Sequence, residues 1–288
     1  GCRGSSPPKD HKVCINLAGG FRNGMEIILT GLDIEEKAKV FTEVLFNSVG
    51  GQEQFDEVFI ELQRTDKENP TTNEQAMASL VISVKSSNQE LVGRLFSAKI
   101  IELALANIPG FFAESGPKSS GPVIIYWPAL VDSKYITEKV HIDGKEIEVV
   151  PTSQLDYEEI YYQREPISID DIEISDQKEI YFGDLFGTRS GDKGGCANLG
   201  VWAKNNLSYS FLYNFLTIEK LKELLPDLSE YKIERFELPN INSLNFYIHD
   251  ILEDGVSSNN RKDGQAKSLG EYLRVKKILV PDSILLET

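Results

Sequence analysis

Short apolar runs typical of β-strands alternate with two amphipathic helical patterns along residues 12–130. This alternation limits the first half of the chain to folds that combine helices with a sheet. The strand-like segments are "KVCINLAGG", "EIILTG", "DEVFIELQRT", "SLVISVKSS" and "GPVIIYWPALV". The first should end at Gly19–Gly20, and the last is expected to be a buried strand or strand pair. The pattern predicts a mixed-sheet α/β first domain.

Two helices are predicted between these strands. Residues 34–49 place apolar side chains at helical spacing, and Asp33 with Glu36 forms a plausible capping box. Gly50–Gly51 should end that helix. The segment "NQELVGRLFSAKIIELALANIPG" carries the clearest helical pattern of the chain and stops at Pro109–Gly110.

Residues 179–288 show a different order of predicted strands and helices. "EIYFGDLFGTRSGD", "CANLGVWAK", "LSYSFLYNFL", "YKIERFELP", "SLNFYIHDIL" and "VKKILVP" are predicted as strands. "TIEKLKELLP", capped by Thr217 and stopped by Pro226, and "QAKSLGEYLR" are predicted helices. The order matches a split βαβ, ferredoxin-like α+β domain.

An acidic stretch separates the two halves. In residues 153–178 only Arg164 and Lys178 oppose the acids. We therefore expect a first domain over 1–152, an acidic connector over 153–178 and a second domain over 179–288.

Composition narrows the function classes. The formal charge is −15, from 45 acidic and 30 basic residues. Binding to nucleic acid or to an anionic membrane needs a basic surface, so neither is expected. The three cysteines, Cys2, Cys14 and Cys196, form an odd set without motif spacing, and we expect free thiols in the cytoplasm.

One stretch, "FGTRSGDKGGCANLGVW" at residues 186–202, combines charged residues with glycines that give the backbone conformational freedom. Glycines allow backbone amides to approach an anion, and Arg189 and Lys193 add positive charge. The phosphate-loop pattern fails, because Gly194 stands where Ser or Thr is required. Two interpretations stay open: a small-anion or carboxylate site, or a tight turn whose charged side chains pair internally.

A second polar loop, "VSSNNRKDGQAK" at residues 256–267, leads into a predicted helix. Exposed amides at a helix start favour anions, and Arg261 and Lys267 would add charge. The alternative is a solvated loop that caps the helix. If both loops lie at the same end of the sheet, their cations can face one ligand.

The remaining candidate residues surround these loops. Asp192 would orient Lys193 or move a proton, so these two are the candidate catalytic pair. Ser190, Asn198 and Asn245 would contact substrate or shape the loop, although turn and strand chemistry also accounts for the asparagines. His11, His141 and His249 lack ligand spacing, so no metal site is expected. The sequence leaves the cofactor unknown.

The chain resembles the acyclic terpene utilisation (AtuA-like) family. "RSGDKGGCANLGV", "LPNINSLNF" and "RKDGQAKSLG" carry the resemblance in the second domain. In the first domain it rests on "GCRGSSPPK", "GGFRNGMEIILTGLDIEEKA", "LVGRLFSAKIIELALANIPGFF" and "VIIYWPALV". The resemblance implies a ferredoxin-like second domain, the latter part of a larger first domain, and a link to the breakdown of acyclic terpenoid acids as coenzyme A thioesters.

These observations predict a catabolic enzyme, or an enzyme fragment, that acts on a carboxylated or acyl-CoA-like small molecule. Preorganised amides and cations suit a carboxylate or thioester carbonyl, because they stabilise developing negative charge. The alternative is a non-catalytic interaction or oligomerisation module of a larger protein. A homo-oligomer is compatible with either function.

Overall fold

The computed structural model describes residues 8–149 and 176–286. The chain divides into two compact units, one formed by residues 17–125 and the other by the residues before 17 and after 125. Most of the predicted acidic connector, residues 153–175, lies outside the described residues. None of the described helices is long and apolar enough to cross a membrane.

The 17–125 unit combines one sheet with two helices. Its elements, of which the first and last strands extend beyond the unit, are β1 (Asp10–Thr30), α1 (Ile34–Ser48), β2 (Glu57–Gln63), β3 (Met77–Ser86), α2 (Arg94–Glu102), β4 (Phe111–Ala113) and β5 (Gly121–Asp132). The sheet order is β2-β3-β1-β4, and β5 also pairs with β1. β3 is antiparallel to both β1 and β2.

The core of this unit lies between the sheet and its helices. Alternate residues of β3 are buried, as expected for a strand with one covered face. The fully buried rings of Phe41 from α1 and Phe96 from α2 belong to the same apolar cluster. The amphipathic pattern places α1 correctly. α2 is shorter than predicted, because it ends at Glu102 and only a 3₁₀ turn over Leu103–Leu105 follows it, before the expected stop at Pro109–Gly110.

Several details differ from the sequence predictions. β1 is one continuous strand through Gly20, which adopts φ +89° where a Cβ atom would meet the Ser86 carbonyl oxygen at 2.8 Å. Gly19–Gly20 therefore does not end the strand. Asp33 lies in the left-handed region at φ 57° and makes no side-chain cap, so the predicted capping box is wrong. β5 is buried at Val123 but highly exposed at Trp127 and Leu130, so it is not the buried strand that was expected.

Next along the chain, β6 (Glu138–Ile142) and β7 (Lys145–Val149) form an isolated two-stranded hairpin. Asp143 and Gly144 both have positive φ, which is the geometry of a type I′ turn. All ten strand residues are exposed. The hairpin was not predicted, although Asp-Gly between segments of alternating apolar and polar residues is a strong turn signal.

The second unit continues with the elements of the ferredoxin-like region. They are β8 (Gln177–Tyr181), α3 (Phe182–Leu185), β9 (Gly187–Lys193), β10 (Cys196–Trp202), α4 (Asn206–Phe215), α5 (Ile218–Leu224), β11 (Ile233–Leu238), β12 (Ser243–Ile248), α6 (Leu269–Arg274), β13 (Lys277–Pro281) and α7 (Asp282–Leu285). β9 to β12 form an antiparallel sheet of order β11-β12-β10-β9.

The sheet is a variant of the split βαβ order. The last strand, β13, was expected to complete the sheet but pairs with β8 instead, while β9 occupies the edge beside β10. The segment "LSYSFLYNFL", predicted as a strand, is helix α4. The Asn205 side chain accepts a hydrogen bond from the Ser208 amide and caps it. The predicted Thr217 cap of α5 is confirmed.

The glycine-rich stretch is a β-hairpin, not a loop. Gly194 and Gly195 connect β9 to β10, and Gly194 adopts φ +71°, as suits the first central residue of a two-residue hairpin turn. The Gly195 carbonyl accepts a hydrogen bond from the Leu252 amide at 2.8 Å. A Cβ atom on Gly195 would lie 2.0 Å from the Glu253 carbonyl oxygen. The hairpin tip therefore requires glycine where the 249–255 segment lies against it.

We predict that Gly195→Ala lowers the free energy of unfolding by about 1–3 kcal/mol, because the backbone of residue 253 must move to admit the methyl group. Gly191→Ala is the matched control on the same hairpin, since a Cβ there has no neighbour within 4 Å. Urea denaturation of both variants measures the difference. Equal stabilities would show that the contact at Gly195 does not constrain the fold.

Candidate functional site

The β9–β12 sheet has one buried face and one open face. Ala197, Leu199 and Val201 of β10 are buried, whereas the residues between them are half-buried or exposed. β12 shows the same alternation. Because residues paired across antiparallel strands share a face, the register defines the open face. Its main side chains are Arg189, Lys193, Cys196, Asn198, Trp202, Glu234, Phe236, Leu238, Asn245 and Tyr247.

The two predicted asparagines meet at the centre of the open face. The Asn198 side-chain amide donates to the Asn245 side-chain oxygen at 3.2 Å, and both residues are half-buried. Beside them, Gly191 and Gly200 carry no side chain, and a Cβ on Gly191 would project into empty space. The asparagine pair therefore borders a bare part of the sheet where the backbone can be approached.

Arg189 and Lys193 lie on the open-face side of β9, and both are exposed. The Lys193 ammonium donates to the Asp192 backbone carbonyl at 2.8 Å. Within the part of the chain that the structure describes, neither cation forms a salt bridge with a carboxylate. The internal pairing of Arg189 with Asp192, considered from the sequence, is therefore not seen among these residues. Their positive charge is available to a ligand.

Ser190 and Asp192 lie on the other face of β9. Ser190 pairs with Leu199 and Asp192 with Ala197, both of which are buried core residues. The Ser190 hydroxyl accepts a hydrogen bond from the Gly270 amide in α6 at 3.0 Å. Ser190 thus anchors α6, and Asp192 lies on the opposite side of the strand from Lys193. The catalytic role of Asp192 with Lys193 stays a prediction.

The hairpin tip contacts the segment that precedes the second polar loop, residues 249–255, through backbone atoms. Arg261 forms a salt bridge with Asp227 at 3.5 Å, so part of its charge is neutralised within the domain. Lys267 is exposed, and its backbone amide donates to Asp263 at 2.9 Å. The predicted placement of Arg261 and Lys267 opposite Arg189 stays a prediction.

Sequence reasoning missed a polar group at one end of the open face. The His249 imidazole lies 2.6 Å from the Glu234 carboxylate, and its ring packs edge-on against Tyr247. A hydrogen bond with the Cys196 thiol, followed by partial burial, raises the pKa of Tyr247 to about 12. Hydrogen bonds from His249 and Lys232 hold the pKa of Glu234 below its usual value. The alternation along "NFYIH" could have placed Tyr247 and His249 on one face of a strand. It could not show which strands pair with that strand.

Among the described residues, no group of three His, Cys, Asp or Glu side chains is arranged to hold a metal ion. Cys14 is an exposed free thiol and Cys196 a half-buried one, while Cys2 lies outside the described residues. The open face therefore offers cations, amides, a thiol, a phenol and an imidazole–carboxylate pair to a ligand.

The loop before α6 depends on one carboxylate, and this gives a pH prediction. Burial alone would raise the pKa of Asp263, but hydrogen bonds from Ser268 and Lys267 outweigh it and lower the pKa. A lowered folded-state pKa means that Asp263 stabilises the fold above its unfolded pKa of about 3.9 and loses this effect in more acidic solution.

Wild type should therefore be more stable than Asp263→Asn at neutral pH, and the difference should shrink below the ordinary aspartate pKa. Urea denaturation of both proteins across this range measures it. The control is Glu271→Gln, which removes an exposed carboxylate of α6 that contacts Arg274. A difference that does not change with pH would contradict the proposed role of Asp263.

Comparison with known proteins assigns the two parts of the chain. Residues 1–142 match the model of the acyclic terpene utilisation family protein AtuA. Residues 181–279 match the AtuA ferredoxin-like domain. Searches of the curated proteins and of the solved structures returned no match. Because the two matches follow one another in order and together span most of the chain, this protein belongs to the acyclic terpene utilisation (AtuA) family.

Proposed function

We propose that the protein is a catabolic enzyme, or a part of one, that acts on a carboxylated or acyl-CoA-like small molecule during acyclic terpenoid breakdown. Family membership supports the catabolic role. The observation that carries the rest is the pair of exposed cations, Arg189 and Lys193, beside the Asn198–Asn245 contact.

The net negative charge of the chain makes a local pair of exposed cations significant for anion binding. At a formal charge of −15, the protein as a whole repels anions. An anionic substrate therefore needs a local positive site. Arg189 can donate two parallel hydrogen bonds to a carboxylate, and Lys193 can add a point charge.

The chemistry that such a site favours is binding and polarisation of a carbonyl or carboxylate group. Cations and side-chain amides that are already in place stabilise negative charge that develops on oxygen. Asn245 accepts from Asn198, so its own amide hydrogens remain directed to other partners or to a ligand. In this proposal Arg189 and Lys193 bind the negative group, the asparagines orient it, and Ser190 supports α6.

Arg189→Ala should weaken binding of hexanoate and hexanoyl-CoA. A charge-assisted hydrogen bond contributes about 1.5–3 kcal/mol. Because Arg189 is exposed, we expect the lower end, which is about a tenfold rise in Kd. Calorimetric titration of wild type and variant measures this change, and Lys204→Ala, an exposed cation of the same unit, is the control.

Equal affinities of wild type and Arg189→Ala, with a lower melting temperature for the variant, would show that Arg189 only supports the hairpin. If neither ligand binds to wild type, the alternative of a non-catalytic interaction or oligomerisation module gains support.

A further inference from the structure

One end of the open face is apolar. Trp202, Phe236 and Leu238 are 42%, 48% and 43% exposed and lie on the strands β10 and β11, with β12 between them. Single exposed apolar residues are common, but a group of them at one end of a sheet face indicates a contact site. Ser243 on β12 lies between Trp202 and Leu238. We name these three residues the apolar strip. In register, Trp202 and Leu238 both pair with Ser243, so the strip spans two strand spacings, roughly 10 Å.

Trp202 of the apolar strip packs against the neighbouring strand β9. A Cβ atom on Gly187 would lie 2.2 Å from the Trp202 ring, so the indole packs directly over this glycine. Phe236 and Leu238 project from β11, an edge strand of the sheet. The strip is therefore a fixed surface on regular strands.

A cation adjoins the apolar strip. The register aligns Arg189, Gly200, Asn245 and Phe236 in one row across the four strands. Trp202 and Leu238 lie in the next row, with Gly187 on β9. Because Gly187 and Gly200 have no side chains, none stands between Arg189 and Trp202 at these two positions. Glu234, the acid of this face on β11, lies toward the other end and is bound by His249 and Lys232.

This arrangement of apolar residues and a cation favours one kind of ligand over another. Arg189 forms no salt bridge within residues 8–149 and 176–286. An apolar surface beside such a cation fits a molecule with a negative head and a hydrocarbon tail. A second copy of this chain fits less well, because it would bring another surface with a formal charge of −15 against the first.

We propose that the apolar strip is the hydrocarbon subsite for a soluble single-chain carboxylate whose head binds at Arg189 and Asn245. This inference rests on the proposed function, since it extends the same site from the head group to the tail. It assigns Phe236 and Leu238 to chain-length selection and Arg189 to head-group binding. The two roles are separable by experiment.

The chain contains only two tryptophans, Trp127 and Trp202. The variant Trp127→Phe therefore makes Trp202 the sole indole, and its fluorescence reports on the apolar strip. Acetate, butyrate, hexanoate, octanoate and decanoate would be titrated below their micelle concentrations. Full burial of a methylene strengthens binding about fourfold, so contact on one side should give roughly twofold per methylene. Affinity should stop rising once the tail exceeds the strip.

Phe236→Ser and Leu238→Ser in this background should flatten the chain-length dependence and leave acetate affinity unchanged. Leu279→Ser, an exposed leucine on β13, is the matched control and should keep the full dependence. Arg189→Ala should weaken all carboxylates by a similar factor. Melting curves would confirm that each variant folds.

The outcomes separate this inference from the proposed function. Carboxylate binding that depends on Arg189 but not on chain length would overturn the hydrocarbon subsite and leave the proposed function standing. Octanol that binds as tightly as octanoate would overturn the inference, because the head group would then not bind through its charge at Arg189, and it would contradict the proposed anion site as well. Sedimentation analysis that shows a dimer dissociated by Phe236→Ser, without decanoate binding, would assign the strip to a second copy and overturn the inference.

Discussion

The alternation of side chains along β10 and β12 is the constraint on which the second unit depends. Every second residue must be apolar to bury one face of the sheet against the helices, and Leu199 and Phe246 are fully buried there. The residues between them must then lie on the other face. A shift of one residue would exchange the two sets, so packing of the core also fixes the composition of the open face.

The glycines of the hairpin follow from the same geometry. Gly195 admits the backbone of residue 253, which holds the 249–255 segment against the β9–β10 tip. Gly191 and Gly200 leave the sheet bare beside the asparagine pair. The same stretch of sequence thus supports the fold at its tip and exposes cations on its strands, which explains why charge and backbone freedom occur together.

Much of the fold could be predicted from local patterns. α1, α5 and most strands follow from periodicity and from caps such as Thr217. α4 was predicted as a strand because its aromatic residues favour sheets, whereas burial of Tyr209 and Leu212 and the Asn205 cap favour a helix. The hairpin at Asp143–Gly144 had a local signal that was overlooked.

The candidate site could be predicted only in part. Arg189, Lys193, Asn198 and Asn245 were identified as residue types. Residues 179–192 were predicted as one strand, whereas α3 divides them into β8 and β9. Alternation along β9 places Ser190 and Asp192 on the face opposite Arg189, but it was not applied to the site residues. The contacts of Asn198 with Asn245 and of His249 with Glu234 depend on strand pairing over long sequence separations. Such pairings are decided by the packing of the whole domain, so no local pattern gives them.

The most direct test of the account is amide chemical-shift mapping of the protein during titration with octanoate. If the open face binds the ligand, the largest shifts will fall on residues 187–193, 196–202 and 243–247, and Arg189→Ala will reduce them. Shifts confined to residues 256–268, or to the 17–125 unit, would contradict it.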